Sequence, residues 1–232
     1  MKISKKTLQI LKNFSLIQNG IVVRSEKDYL VSVSEGASIL SNAPIEEKFP
    51  VDFAIYDIGQ FLNTVSLFKE PVFDFNGSYV TIHDEEGRMK TDFHYSEESI
   101  ITEAPVDEFE IDNFKIETEL TEEVFKKVIK SSSIMGLRDL RIKSDGDKII
   151  FEAFDKNKDT KNVFGVTLTD GYEGVPFEAH FLVDTIRVLL DDNYKVGLIN
   201  RGGMLVSQFT GSDEDRPNRY WISLESSSTL PE

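Results

Sequence analysis

The sequence predicts an α+β chain built from a duplicated domain. Three observations predict it. Four short segments carry helical periodicity, strand-like segments fill the intervals, and the order helix, strands, helix, strands then occurs again. A chain of 232 residues holds either two domains of roughly 115 residues or one large β-rich domain. The first and third helical segments lie 117 positions apart and the second and fourth 125, which favours duplication.

The first helix is expected from Lys5 to Phe14, with Ser4 as its N-cap. The second begins at DIGQFLNTVSLF, capped by Asp57. The third is TEEVFKKVIKSS, with Thr121 as cap and Glu122 and Glu123 suiting the positive helix end. The fourth is VDTIRVLL, from Val183 to Leu190. Between them, GIVVRSEKDYLVSVS and KIIFEAF are rich in β-branched and aromatic residues, and RYWISLE puts Tyr220, Ile222 and Leu224 on one face. Asn76-Gly77, Glu86-Gly87, Asp145-Gly146 and Gly202-Gly203 mark turns. EESIITEAPVDEFEID has little periodicity and reads as a connector between the halves.

Charge distribution is more informative than net charge. With 41 acids against 26 lysines and arginines, the net charge is -15, and an even spread would repel nucleic acid. Yet the opening MKISKKTLQILKNF holds four lysines and no acid. At 100° per residue, Lys5, Lys6, Gln9, Lys12 and Asn13 share one arc, and Leu8, Ile10, Leu11 and Phe14 the other. In the third helix Lys126, Lys127 and Lys130 lie opposite Val124, Phe125, Val128 and Ile129. The second offers the uncharged polar arc Gly59, Gln60, Asn63, Thr64 and Ser66, and the fourth offers Thr185 and Arg187. Lysines on one solvated helix face are ordinary. Acids kept off four such faces, first turns apart, define a positive surface on a negative body.

Catalytic patterns are absent. His83, His94 and His180 are scattered outside metal-ligand spacing, and no G-x-S-x-G, P-loop or G-x-G-x-x-G occurs. DKNKDTKN begins like a calcium loop at Asp155, Asn157 and Asp159. It then fails, with Thr160 where a glycine is needed and Val166 in place of the bidentate acid. DEEG, at Asp84 to Gly87, is a charged turn. No metal, cofactor or enzymatic activity is expected. With no cysteine, no apolar h-region after the first lysines and no long apolar run, a soluble intracellular protein is expected.

MKISKKTLQILKNF and DFAIYDIGQFLNTVSLF closely resemble the sliding clamps of T4-like bacteriophages, the processivity factors of DNA polymerase. TEEVFKKVIK, FGVTLTDGYEG, NYKVGLINRGG and YWISLESSST extend the resemblance more weakly through the chain. The resemblance implies the DNA-clamp fold, with two similar domains of two helices packed on antiparallel strands at 1–98 and 116–232, joined by a connector at 99–115. Three chains would close head to tail into a homotrimeric ring around duplex DNA, with Lys5, Lys6, Gln9, Lys12, Lys126, Lys127, Lys130 and Arg187 facing it. The resemblance also implies a non-enzymatic role in the host cytoplasm, with the phage DNA polymerase and an ATP-driven clamp loader as partners. Late transcription through a sigma-like factor is a further implied role. Partner peptides would dock in a groove at Ile100, Ile101, Pro105 and Val106. The competing identities are a β-rich virion protein, which needs no positive surface, and an acidic DNA mimic, against which the segregated lysines count.

Overall fold

Three helices begin where a short polar side chain closes the first turn. The computed structural model describes residues 1–157 and 162–231. In it Ser4 caps α1 (Lys5–Phe14), accepting from the Thr7 amide at 3.1 Å. Asp57 caps α2 (Ile58–Val65), accepting from the Gln60 amide at 2.7 Å. Thr121 caps α3 (Glu122–Met135), accepting from the Val124 amide at 3.3 Å. α3 runs past the TEEVFKKVIKSS stretch and stops at Gly136, left-handed at φ 63, a conformation that glycine adopts without a Cβ clash.

The fourth helix is the element that differs most from expectation. α4 (Val183–Ile186) is a single turn and does not reach Leu190. Val183, Thr185, Ile186 and Val188 are β-branched and poor helix formers. The turn after it is also held from outside, because the Tyr194 hydroxyl donates to the Leu190 carbonyl at 2.8 Å.

The chain divides into two compact units, Met1–Glu108 and Phe109–Glu232. The strands of the first are β1 (Ile21–Val23), β2 (Tyr29–Val33), β3 (Ile39–Pro44), β4 (Phe53–Ile55), β5 (Val72–Phe75), β6 (Tyr79–His83) and β7 (Lys90–His94). β1 pairs with β4, β2 with β3, and β6 lies between β5 and β7, all antiparallel. GIVVRSEKDYLVSVS splits into β1 and β2 at a turn in which the Lys27 amide donates to the Arg24 carbonyl at 3.1 Å. α1 packs against α2. Ile10, Leu11 and Phe14 are buried with Ile58, Phe61 and Val65, and each such side chain contributes about 1.5–3 kcal/mol. Phe61 meets the sheet edge-on, its ring 5.2 Å from Phe93 and 6.4 Å from Phe73.

The second unit contains β8 (Ile116–Leu120), β9 (Asp139–Ser144), β10 (Lys148–Phe154), β11 (Phe164–Asp170), β12 (Phe177–Leu182), β13 (Tyr194–Arg201), β14 (Met204–Gly211) and β15 (Arg219–Ser223). Its antiparallel ladders run β11-β10-β9-β12 and β8-β13-β14-β15. α3 packs on β10 and β11. Tyr220, Ile222 and Leu224 are buried as their alternation predicts. Trp221 is buried too, because the ring of Phe109 lies edge-on to it at 6.1 Å and Gln208 accepts from its Nε1 at 2.8 Å.

One edge in each unit is covered by its own chain. Met1 exchanges two hydrogen bonds with the backbone of Phe73 on β5, at 2.6 and 2.8 Å. In the second unit, Thr229 does the same with Glu178 on β12, and the Glu225 amide donates to the His180 carbonyl at 3.0 Å. β7 and β11 end their sheets with no strand partner beyond them among the described residues. No helix among the described residues is long and apolar enough to cross a membrane.

Candidate nucleic-acid interface

The start of α1 is fixed by a residue forty positions away. Thr7 is fully buried and its hydroxyl donates to Glu47 at 2.5 Å, while the Ser4 amide also donates to Glu47. Burial alone would raise the Glu47 carboxyl, but these hydrogen bonds outweigh it and hold the pKa below the ordinary carboxylate range. A negative charge at a helix N-terminus is favourable in its own right. Because the folded pKa is depressed, the stabilisation is present above the unfolded value and is lost as pH falls through the folded one. Glu47→Gln is therefore expected to destabilise α1 by about 1 kcal/mol at neutral pH, the scale of a lost cap. Thermal scans of both proteins should converge as pH falls below the ordinary carboxylate range; a gap that persists there removes the charge from the account.

With its start held, α1 turns Lys5, Lys6, Gln9 and Lys12 to solvent. Asn13, expected beside them, is buried at 8% exposure instead. α2 contributes Gln60, Asn63 and Ser66, with Gly59 and Thr64 half-buried beside them. Its hydroxyls are turned inward, since Thr64 donates to the Gln60 carbonyl at 2.9 Å and Ser66 to the Asn63 carbonyl at 2.7 Å. Leu67 stands exposed at the end of this face.

In the second unit α3 exposes Lys126, Lys127 and Lys130. The three differ in one respect. Lys126 is held by Glu122 at 2.5 Å and Asp191 at 2.8 Å, and its pKa is raised by the hydrogen bonds to Asp191 and Glu122. Arg187, just beyond α4, is likewise engaged, donating to Ser133 of α3 at 2.9 Å and lying 3.6 Å from Asp184. Lys5, Lys6, Lys12, Lys127 and Lys130 have no carboxylate partner among the described residues. Elsewhere many cations are neutralised. Lys2 is bound by Glu85, Arg141 by Glu152 and Glu178, and Lys156 by Asp139. Unpaired lysine ammoniums on solvated helix faces can neutralise a polyanion without fixing its register.

The connector residues behave differently from one another. Ile100 and Val106 are 58% and 39% exposed, and Pro105 is exposed. Ile101 is buried at 8% and packs on Gly20. That position therefore anchors the segment to the first unit and cannot meet a partner from the surface. Among the described residues no group of acidic or histidine side chains could hold a metal ion. Asp159 and Thr160 of the calcium-like stretch lie outside the described residues.

Residues 2–71 match the family model described as DNA polymerase processivity factor. The chain is 30% identical over 233 residues to the sliding clamp of Vibrio phage KVP40, covering 97% of this chain and 99% of that one. It is 25% identical to the sliding clamp of Escherichia phage RB69, covering 99% of each. Among solved structures, A. fulgidus PCNA, determined with the C-terminal region of FEN-1 bound, superimposes with a TM-score of 0.68. That match has 12% identity and covers 100% of this chain and 98% of that one.

Proposed function

Because the chain belongs to the family of phage sliding clamps, we propose that three copies close head to tail into a ring around duplex DNA and tether the phage DNA polymerase to its template. The observation that carries this is the set of five lysines on α1 and α3 with no carboxylate partner among the described residues, in a chain of net charge -15. Lysine is a hydrated point charge on a flexible stem and accepts a phosphate in many positions, as a sliding contact must. Acids such as Glu117 and Glu119, exposed on β8, keep DNA off the sheet faces.

Two of the open sheet edges, one in each unit, supply the closure. β7 of one copy pairs with β11 of the next, a heterologous contact that closes when the rotation per copy fits three. An ATP-driven loader opens the ring, and clamp-bound factors, a sigma-like protein among them, use it to activate late transcription. Short peptides of the polymerase and these factors dock at the connector, on Ile100, Pro105 and Val106. The FEN-1 segment bound to A. fulgidus PCNA supports docking of this kind.

Sedimentation equilibrium is expected to show a species three times the 26.4 kDa chain mass at micromolar concentration. A monomer independent of concentration overturns the ring.

A further inference from the structure

The connector is held down more firmly than a tether needs. The Arg24 guanidinium meets both carboxylate oxygens of Glu103, at 2.9 and 2.8 Å, and lies 2.9 Å from Glu98. Lys27 meets both oxygens of Asp107 at 2.7 Å, and the Tyr29 hydroxyl donates to the same carboxylate at 2.8 Å. Between Glu98 and Glu103 in the chain, Ile101 fills the space above Gly20, where a Cβ would stand 3.0 Å from its Cγ1. Side chains with only a quarter of their surface exposed (25% for Arg24, 28% for Lys27), and a guanidinium shared between Glu103 through one nitrogen and Glu98 through the other, lift these contacts above ordinary surface ion pairs. Tyr29 is pushed up to about 12 by burial and by Asp107. Burial would raise the Asp107 carboxyl, but Lys27 and Tyr29 hold it low.

We propose that Arg24 and Lys27 are positioning residues of the docking face, clasping residues 98–107 onto the first unit so that Ile100 and Val106 stand outward in one register for a partner peptide. The inference rests on the docking function proposed above. Its occupant is a peptide whose apolar anchors are flanked by lysine or arginine. From 97 to 108 the connector holds five acids and no cation, and the clasp engages Glu98, Glu103 and Asp107. Glu97 stays exposed, with no cation beside it among the described residues. A surface already in its bound shape avoids the ordering cost that a loose segment incurs on binding.

The test uses the full chain, a glutamate-specific protease and the C-terminal peptide of the phage's own polymerase. In Arg24→Gln/Lys27→Gln, cleavage within 97–108 is expected to accelerate about tenfold as local opening becomes easier. Peptide affinity should fall by roughly fivefold or more as preorganisation is lost. The sedimenting mass should not change. Gly20→Ala, which crowds out Ile101 without touching a charge, should do the same. Arg24→Lys, which keeps the charge and loses the fork, should fall between. Unchanged cleavage in both the double and the glycine variant overturns the clasp. Faster cleavage with parental peptide affinity overturns the positioning role. A parent protein that takes up no peptide overturns the docking function on which the inference stands, and is told apart because the cleavage result is read without peptide.

Discussion

Reversing Lys5, Lys12 and Lys130 to Glu together is expected to abolish processive synthesis at physiological salt while leaving the protein folded. All three side chains are exposed and none has a carboxylate partner among the described residues, so no ion pair of the fold is broken. On DNA the effect is large because each lost phosphate contact lowers the salt slope of association by about one unit, and each reversal adds repulsion. Lys126→Glu is the internal comparison. Its ammonium already lies against Glu122 and Asp191, so a smaller loss is expected there. A primed-template extension assay in which the triple variant matches the parent at physiological salt removes these residues from the DNA-facing surface.

Phe61→Ala is expected to be the most damaging single truncation in the first unit. Phe61 is 1% exposed and joins α2 to β5 and β7 through the rings of Phe73 and Phe93. Emptying such a site costs about 3–5 kcal/mol, a large part of the roughly 5–15 kcal/mol that keeps a domain folded. Calorimetry should show the first unfolding transition lowered by more than about 10 °C. A change of only a few degrees would mean that neighbouring side chains collapse into the space. Because Phe93 lies on β7, the edge proposed to join copies, the variant is also expected to lower the sedimenting mass at the same protein concentration.

Local chemistry made much of this legible before any coordinates. Ser4, Asp57 and Thr121 cap helices as their side chains dictate, and the lysines of α1 and α3 fall on solvent faces because an apolar stripe opposite them has somewhere to go. Where expectation failed, the deciding partner lies far along the chain or inside the fold. Asn13 fits the polar arc by angle yet is buried, and α4 stops early. Lys126 and Arg187 looked equivalent to their neighbours until Asp191 and Ser133 came beside them. Glu47 at the start of α1, and Arg24 and Lys27 under the connector, had no sequence signal at all. Each acts on residues about 40 to 80 positions distant, beyond the reach of any periodicity.

The covering of β5 by Met1 and of β12 by Thr229 has a bearing on how the purified protein ages. A naked strand edge templates the addition of any extended chain. Here one end of the β5-β6-β7 sheet and one end of the β11-β10-β9-β12 sheet are already occupied from within. In those two sheets the addition of a further extended chain is left to β7 and β11. On the proposed ring these are the edges that assembly hides, so precipitation is expected to rise in dilute stocks, where copies separate, and to fall in concentrated ones.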